Sequence, residues 1–278
     1  MGVLALALTA AGCSDGGRSE DSDRTRPPSS STAPPAPDRA VEAPTADMAF
    51  DYQIGGPYPL PAGVRAVARD RTAPPAKGAY NVCYVNTFQA QPDAVGWWRK
   101  NHPELLLRDA DGELIVDEDW DEPLLDISTA AKRTELAAIV GRWIDGCARS
   151  GYQALEPDNL DSYERSDGRL DKDDNIAFAR LLAARAHRAG LAIGQKNTTE
   201  LLPERASIGF DFAVVEECGR YDECAEYAEA YRDRVFVIEY SDADFRKACA
   251  AWGGRLSIVS RDLDVRPAGE EGYAFRRC

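Results

Sequence analysis

The chain has 278 residues, 44% of them hydrophobic and 29% charged, a globular composition with enough ordered chain for one large α/β barrel or two small domains. Its formal charge of −14 and pI near 4.7 exclude nucleic acid and an anionic membrane face as natural partners, because neither phosphate nor anionic lipid attracts an acidic surface. A neutral or cationic partner fits such a surface.

Residues 1–13 read as a lipoprotein signal segment. Positions 3–11 are small and apolar and lead into Gly12 and Cys13, the pattern found at a lipid-modified cysteine. The run is too short to span a bilayer, and no Lys or Arg precedes it, so a true start codon further upstream, with a basic n-region, is expected. Residues 14–46 are Ser, Pro, Asp, Arg and Ala with no aromatic residue, and they are expected to form a disordered tether, since they cannot bury enough surface to offset their ordering entropy. The expected location is the extracellular face of the cell membrane, or the medium. Membrane contact is expected only through the lipid on Cys13, and the folded part is expected to be a monomer.

From about residue 47 to 278 the pattern is strand, then helix, repeated. Eight strands are expected at 49–54, 64–68, 80–85, 152–156, 192–194, 212–215, 235–239 and 256–260. The clearest helices are 130–150 and 173–189. In the second, Ile176, Ala179, Leu182, Ala183 and Ala186 recur at spacings of three and four on one face, and Gly190 follows as a stop. Eight strands alternating with helices predict a (β/α)₈ barrel, whose active sites lie at the C-terminal strand ends.

Those ends are polar, one or two groups to a strand: Gln53, Asp70, Asn86, Asp158, Lys196 with Asn197, Glu216, Glu239 with Tyr240, and Arg261 with Asp262. Helix capping accounts for any one of them but not for all eight. Glu156, Asp158 and Asp161 close one apolar run, and Glu216 with Glu217 closes another. Two acidic strand ends suggest the carboxylate pair that glycosidic bond cleavage needs, one group protonating the leaving oxygen and the other serving as nucleophile or activating water. Asp70, Asn86, Asn159, Asp161, Lys196, Asn197, Glu239 and Tyr240 are expected to bind substrate. Tyr52, Tyr58, Tyr84, Phe88, Trp120, Tyr163 and Tyr240 are aromatic groups near the same ends, able to stack on sugars or to pack the core.

With Cys13 assigned to lipid, six cysteines remain, an even number suited to three disulfides outside the cytoplasm. Spacing alone does not fix their connectivity. Cys218 and Cys224 are expected to close a short loop, Cys249 and Cys278 to fasten the C-terminus, and Cys83 and Cys147 to pair as the remainder. Two histidines and no CxxC pair leave no expected metal site, and no cofactor is expected.

The strings FDYQIGG (50–56), YNVCYVNTFQ (80–89), GYQALEPDNLDSYE (151–164), AHRAGLAIGQKN (186–197), GFDFAVVEEC (209–218), DEC (222–224) and VIEY (237–240) resemble glycoside hydrolase family 114, the endo-α-1,4-polygalactosaminidases. The resemblance runs from Phe50 to Cys278. It implies a (β/α)₈ barrel hydrolysing galactosamine-containing exopolysaccharide, with Asp158 and Glu216 as the catalytic carboxylates. Where many members read Asn-Glu-Gln-Cys this chain has Val215, Glu216, Glu217 and Cys218, so a second acid adjoins the implied catalytic one. Asp158 is expected as nucleophile and Glu216 as acid/base, with retention. A partly de-acetylated galactosamine polymer is a polycation, which an acidic groove would concentrate. Three alternatives accompany this expectation: a barrel glycosidase of other specificity, a catalytically silent carbohydrate-binding lipoprotein, and a pair made of Asp158 with Glu239.

Overall fold

The computed structural model describes residues 40–278; Cys13, the segment 1–13 and most of the expected tether lie outside the described residues. Within residues 40–46, expected to belong to that tether, two positions meet the folded part. Pro44 is buried, and the Glu42 carbonyl accepts a hydrogen bond from the Tyr80 hydroxyl at 2.7 Å.

Eight parallel strands run in the order β1 (Phe50–Gln53), β2 (Ala66–Asp70), β3 (Tyr80–Asn86), β4 (Ala154–Asp158), β5 (Ala192–Lys196), β6 (Phe212–Glu216), β7 (Val235–Glu239) and β8 (Ser257–Arg261). Each pairs with the next, and the sheet forms a nearly closed barrel. A short final strand, Phe275–Arg277, runs antiparallel to β8 at its open edge, and the buried pair Arg261 and Asp51, at 3.4 Å, crosses the seam to β1. The expected strands are all present: that at 235–239 coincides, and the others differ by one or two residues at one or both ends.

The helices are α1 (Val95–Asn101), α2 (Ala130–Ser150), α3 (Lys172–Arg188), α4 (Arg205–Ile208), α5 (Cys218–Tyr221), α6 (Cys224–Tyr231) and α7 (Asp242–Trp252). Among the described residues none is long and apolar enough to cross a membrane. The links from β1 to β2 and from β2 to β3 carry no helix, so the barrel departs there from strict alternation. Helix α2 starts where the Thr129 side chain accepts from the Lys132 amide and ends at Gly151, whose φ of 99° only glycine adopts freely. Asp171 and Asp174 form a capping box at the start of α3, and the apolar face read from sequence is its buried face.

Side chains of alternate residues fill the barrel: Phe50, Tyr52, Phe212, Val214, Phe236, Ile238 and Val259 point inward. The Phe50 and Phe236 rings stack at 4.3 Å. Gly194 lies opposite, where a Cβ would come within 2.9 Å of the Phe212 ring, so the glycine makes room for the aromatic layer. Three disulfides pair as expected: Cys83–Cys147 joins β3 to α2, Cys218–Cys224 closes the loop after β6, and Cys249–Cys278 ties α7 to the C-terminus.

Candidate active site

The same inward alternation that packs the lower barrel delivers polar groups at its C-terminal mouth. Glu156 and Asp158 of β4, Lys196 of β5 and Glu216 of β6 converge there. The Lys196 ammonium lies 3.2 Å from Glu156, 2.9 Å from Asp158 and 3.4 Å from Glu216, and its side chain is only 3% exposed. Tyr52 donates to Glu156 at 2.7 Å, Tyr84 donates to Asp158 at 2.6 Å, and Tyr240 donates to Glu216. Asn197 both donates its amide to Glu216 Oε2 at 3.1 Å and accepts the Glu216 backbone N–H at 2.8 Å.

The residue after each of these three strands, namely Asn159, Asn197 and Glu217, has a left-handed backbone, with φ of 65°, 46° and 58°. Thr198 follows at 64°, a genuine outlier for a β-branched residue. The chain therefore turns sharply away as soon as the functional side chain is delivered, which leaves the mouth open and stores strain there. Asparagine tolerates this conformation better than most residues.

A cleft of about 360 Å³ lies over the cluster, lined among others by Asp158, Lys196, Glu216, Tyr240, Trp120 and Asp264. It opens into a second compartment of about 470 Å³. Of the expected substrate contacts, Asn159, Asp161, Asn197 and Tyr240 line the cleft, with Asp161 held by Arg165 at 2.7 Å. The other expected contacts differ in place or role. Lys196 also lines the cleft, but its ammonium is engaged by Glu156, Asp158 and Glu216. Asn86 is 5% exposed and braces the site, donating to Glu122 and accepting from Asn159. Asp70 accepts from Thr72 in its own turn and lines neither compartment.

Glu239 faces the other way. With Phe236 and Ile238 inward, its side chain points outward, where it is fully buried and accepts the Gly219 N–H at 2.7 Å. That contact fixes the start of α5, next to the Cys218–Cys224 bridge. It removes Glu239 both as a substrate contact and as a partner for Asp158. Of the aromatic candidates, Tyr52, Tyr58 and Phe88 are buried, whereas Trp120 is 55% exposed over the cleft.

Sequence reading missed the hairpin between α1 and α2, whose strands Val116–Asp117 and Glu122–Pro123 bring Asp117, Asp119 and Glu122 to the cleft. The acid-rich run around Trp120 was the available signal.

The electrostatics separate the carboxyls. Burial opposes charge on Asp158, but the Lys196 ammonium and the Tyr84 hydroxyl outweigh it and hold its carboxyl below the usual range. Burial pushes Glu156 up to about 7, against Lys196 and Tyr52. Burial likewise lifts Glu122 and Glu239 to about 7 each. Lys196 keeps its charge well beyond neutral pH, because its three carboxylates more than offset burial.

These directions predict how stability varies with pH. Glu156 and Glu239 hold their protons up to about 7 in the folded chain and only to about 4.5 when unfolded, so stability is lost as pH rises through that window. The ceiling is about 3 kcal/mol per group. His187, raised by its hydrogen bond to Asp211, adds stability below its unfolded value that is also lost as pH rises. Urea unfolding should therefore give a free energy that falls between pH 5 and 7.5, and less steeply in Glu239→Gln. A flat or rising curve would refute this.

Carboxylates converging at the C-terminal mouth of a (β/α)₈ barrel are an arrangement that glycosidic bond cleavage can use. The sequence profile of glycoside hydrolase family GH114 matches residues 30–278, and the chain belongs to that family; it is a glycoside hydrolase. Among solved structures it is similar to Ega3 of Aspergillus fumigatus in complex with galactosamine, at 23% identity and a TM-score of 0.68, covering 86% of this chain and 98% of that one. It is also similar to the glycoside hydrolase domain of PelA from Pseudomonas aeruginosa, at 16% identity and a TM-score of 0.54, covering 80% and 97%. A search of curated protein sequences finds no match.

Proposed function

We propose that this hydrolase cuts within chains of α-1,4-linked, galactosamine-containing polysaccharide, with Asp158 as nucleophile and Glu216 as acid/base. The observation that carries this is the pair of carboxyls sharing one buried ammonium at the floor of an acid-lined cleft. The two contacts to Lys196 put an upper limit of about 6.3 Å on the separation of the nearest Asp158 and Glu216 oxygens. That bound accommodates the close carboxyl spacing of retaining enzymes, about 5–5.5 Å, which is the outcome we propose. Asp158, ionised and held by two donors, suits attack at the anomeric carbon, while Glu216, at the boundary between the compartments, suits proton transfer to the leaving oxygen. The galactosamine bound to the similar Ega3 supports the sugar, and an acidic cleft would concentrate an amine-bearing polymer.

The test is product release from partly de-acetylated galactosamine polymer, fully acetylated galactosamine polymer and glucosamine polymer. Internal cleavage of the first, suppressed by salt, is expected. Cleavage of glucosamine polymer at an equal rate, or release of monomers only, would overturn the specificity or the endo action.

We infer further that the enzyme works outside the cytoplasmic membrane on a lipid carried by Cys13. The Gly12–Cys13 pattern and the three disulfides support this. Cys13→Ser should lose membrane association, and wild type recovered in the cytosol with reduced thiols would contradict it.

A further inference from the structure

The two compartments over the mouth are unequal in a way that gives the substrate a direction. Glu216, Asn197, Tyr240, Trp120, Asp161 and Leu263 line both, whereas Asp158 and Lys196 line only the first. In the displacement, an Asp158 oxygen bonds to the anomeric carbon as the bond from that carbon to the glycosidic oxygen breaks, and Glu216 gives its proton to the departing oxygen. Water then cleaves the ester and returns a proton to Glu216. The sugar keeping the anomeric carbon must therefore lie beside Asp158, and the sugar that leaves must lie beyond Glu216.

We propose that the second compartment, walled by Glu164, Glu200, Tyr221 and Glu223, binds the leaving-group side of the polysaccharide through the free amines of its sugars, so that the chain crosses the mouth with its reducing end there. This assignment rests on the function proposed for the carboxylate pair.

The chemistry of the compartment supports an amine. Of its other acids, Asp161 is paired with Arg165 at 2.7 Å, Glu217 with Arg220 at 2.8 Å and Glu216 with Lys196 at 3.4 Å. Glu164, Glu200 and Glu223 have no ion pair among the described residues, and no Lys or Arg lines the compartment. Their mutual proximity is registered electrostatically: after burial, Asp161 and Glu200 push Glu164 up, while Glu226 and Glu200 push Glu223 up. Tyr163 and Arg165 offset part of this at Glu164, but its carboxyl stays raised; facing carboxylates repel one another, and a chain of ammonium groups relieves that repulsion. Two aromatic rings, Trp120 and Tyr221, are 55% and 57% exposed at the walls, an exposure that sugar stacking would use.

The test is a cleavage map of a galactosamine oligosaccharide labelled at its reducing end, using the full chain, wild type against Glu200→Gln with Glu223→Gln. Weakening the leaving-group side should slide the oligosaccharide towards the first compartment, so the labelled product shortens while kcat/KM falls about tenfold. Raising the salt concentration should narrow the difference. Tyr221→Ala, an exposed position, gives the same readout if the double variant folds poorly. A lengthened labelled product would reverse the direction, and an unchanged cleavage position, whatever the rate, would overturn the proposal, since a merely structural loss does not move the register. A wild type that cleaves no galactosamine oligosaccharide refutes the function proposed for the site and this assignment with it, whereas an active wild type with indifferent variants refutes the assignment alone.

Discussion

Asp158→Asn is expected to fold normally and to lose turnover by about three orders of magnitude or more, because it removes the charge that attacks the anomeric carbon. The substitution is close to isosteric. The Asn oxygen can still accept from Lys196, which holds Asp158 at 2.9 Å, and the Tyr84 hydroxyl at 2.6 Å can turn to accept from the new amide. Lys196 also keeps its contacts to Glu156 and Glu216, so no buried cation is stranded. The loss should therefore appear in turnover, with circular dichroism and melting close to wild type. Glu216→Gln should lose a comparable factor, since its amide cannot protonate the leaving oxygen. Initial rates on galactosamine polymer decide the matter: either variant retaining a tenth of wild-type turnover would remove that residue from the catalytic pair, and Glu122, raised to about 7 and facing the same cleft, would become the next acid to test.

The parts of this site that sequence made legible are those where local pattern and chemistry coincide. The apolar runs ending at Asp158 and Glu216 marked two strands and their functional ends together. Helices α2 and α3 were readable from spacing and from the residues that stop them. The direction of Glu239 was not readable, because Val235 to Ile238 are apolar on both faces, as expected of a strand covered on both sides, and such a run carries no phase. The burial of Lys196 depends on β1, β4 and β6 meeting around it, contacts up to 144 residues apart in sequence. The hairpin with Glu122 has strands of two residues each, too short to show alternation, although its acids form part of the cleft.

Lys196→Met should be the most destabilising single change at the mouth, by about 3–5 kcal/mol near neutral pH, because it strands carboxylates that now share one ammonium. Glu156 is wholly buried, so water cannot replace its lost cation, while the Asp158 and Glu216 side chains, 18% and 27% exposed, are hydrated only in part. Methionine fills the space of the stem but offers no charge. With the ammonium gone, burial acts unopposed by it on Glu156 and Asp158, whose carboxyls retain their protons to higher pH in the folded chain than in the unfolded one. The deficit should therefore be smaller at pH 5 and deepen as pH rises through 7, the sign for acids whose folded values are raised. Turnover should fail as well, since Asp158 would no longer be held ionised. Adding Glu156→Gln removes the most deeply buried of these carboxyls, whose ionisation is then the costliest, and the Gln oxygen can still accept from Tyr52. The double variant should accordingly be more stable than Lys196→Met alone, with a coupling on the order of 1–3 kcal/mol. Urea unfolding of the two single variants, the double variant and wild type at pH 5 and pH 8 closes the cycle. A Lys196→Met protein within about 1 kcal/mol of wild type at pH 8, or a double variant with no recovery, would mean that the ammonium does not hold these carboxylates together.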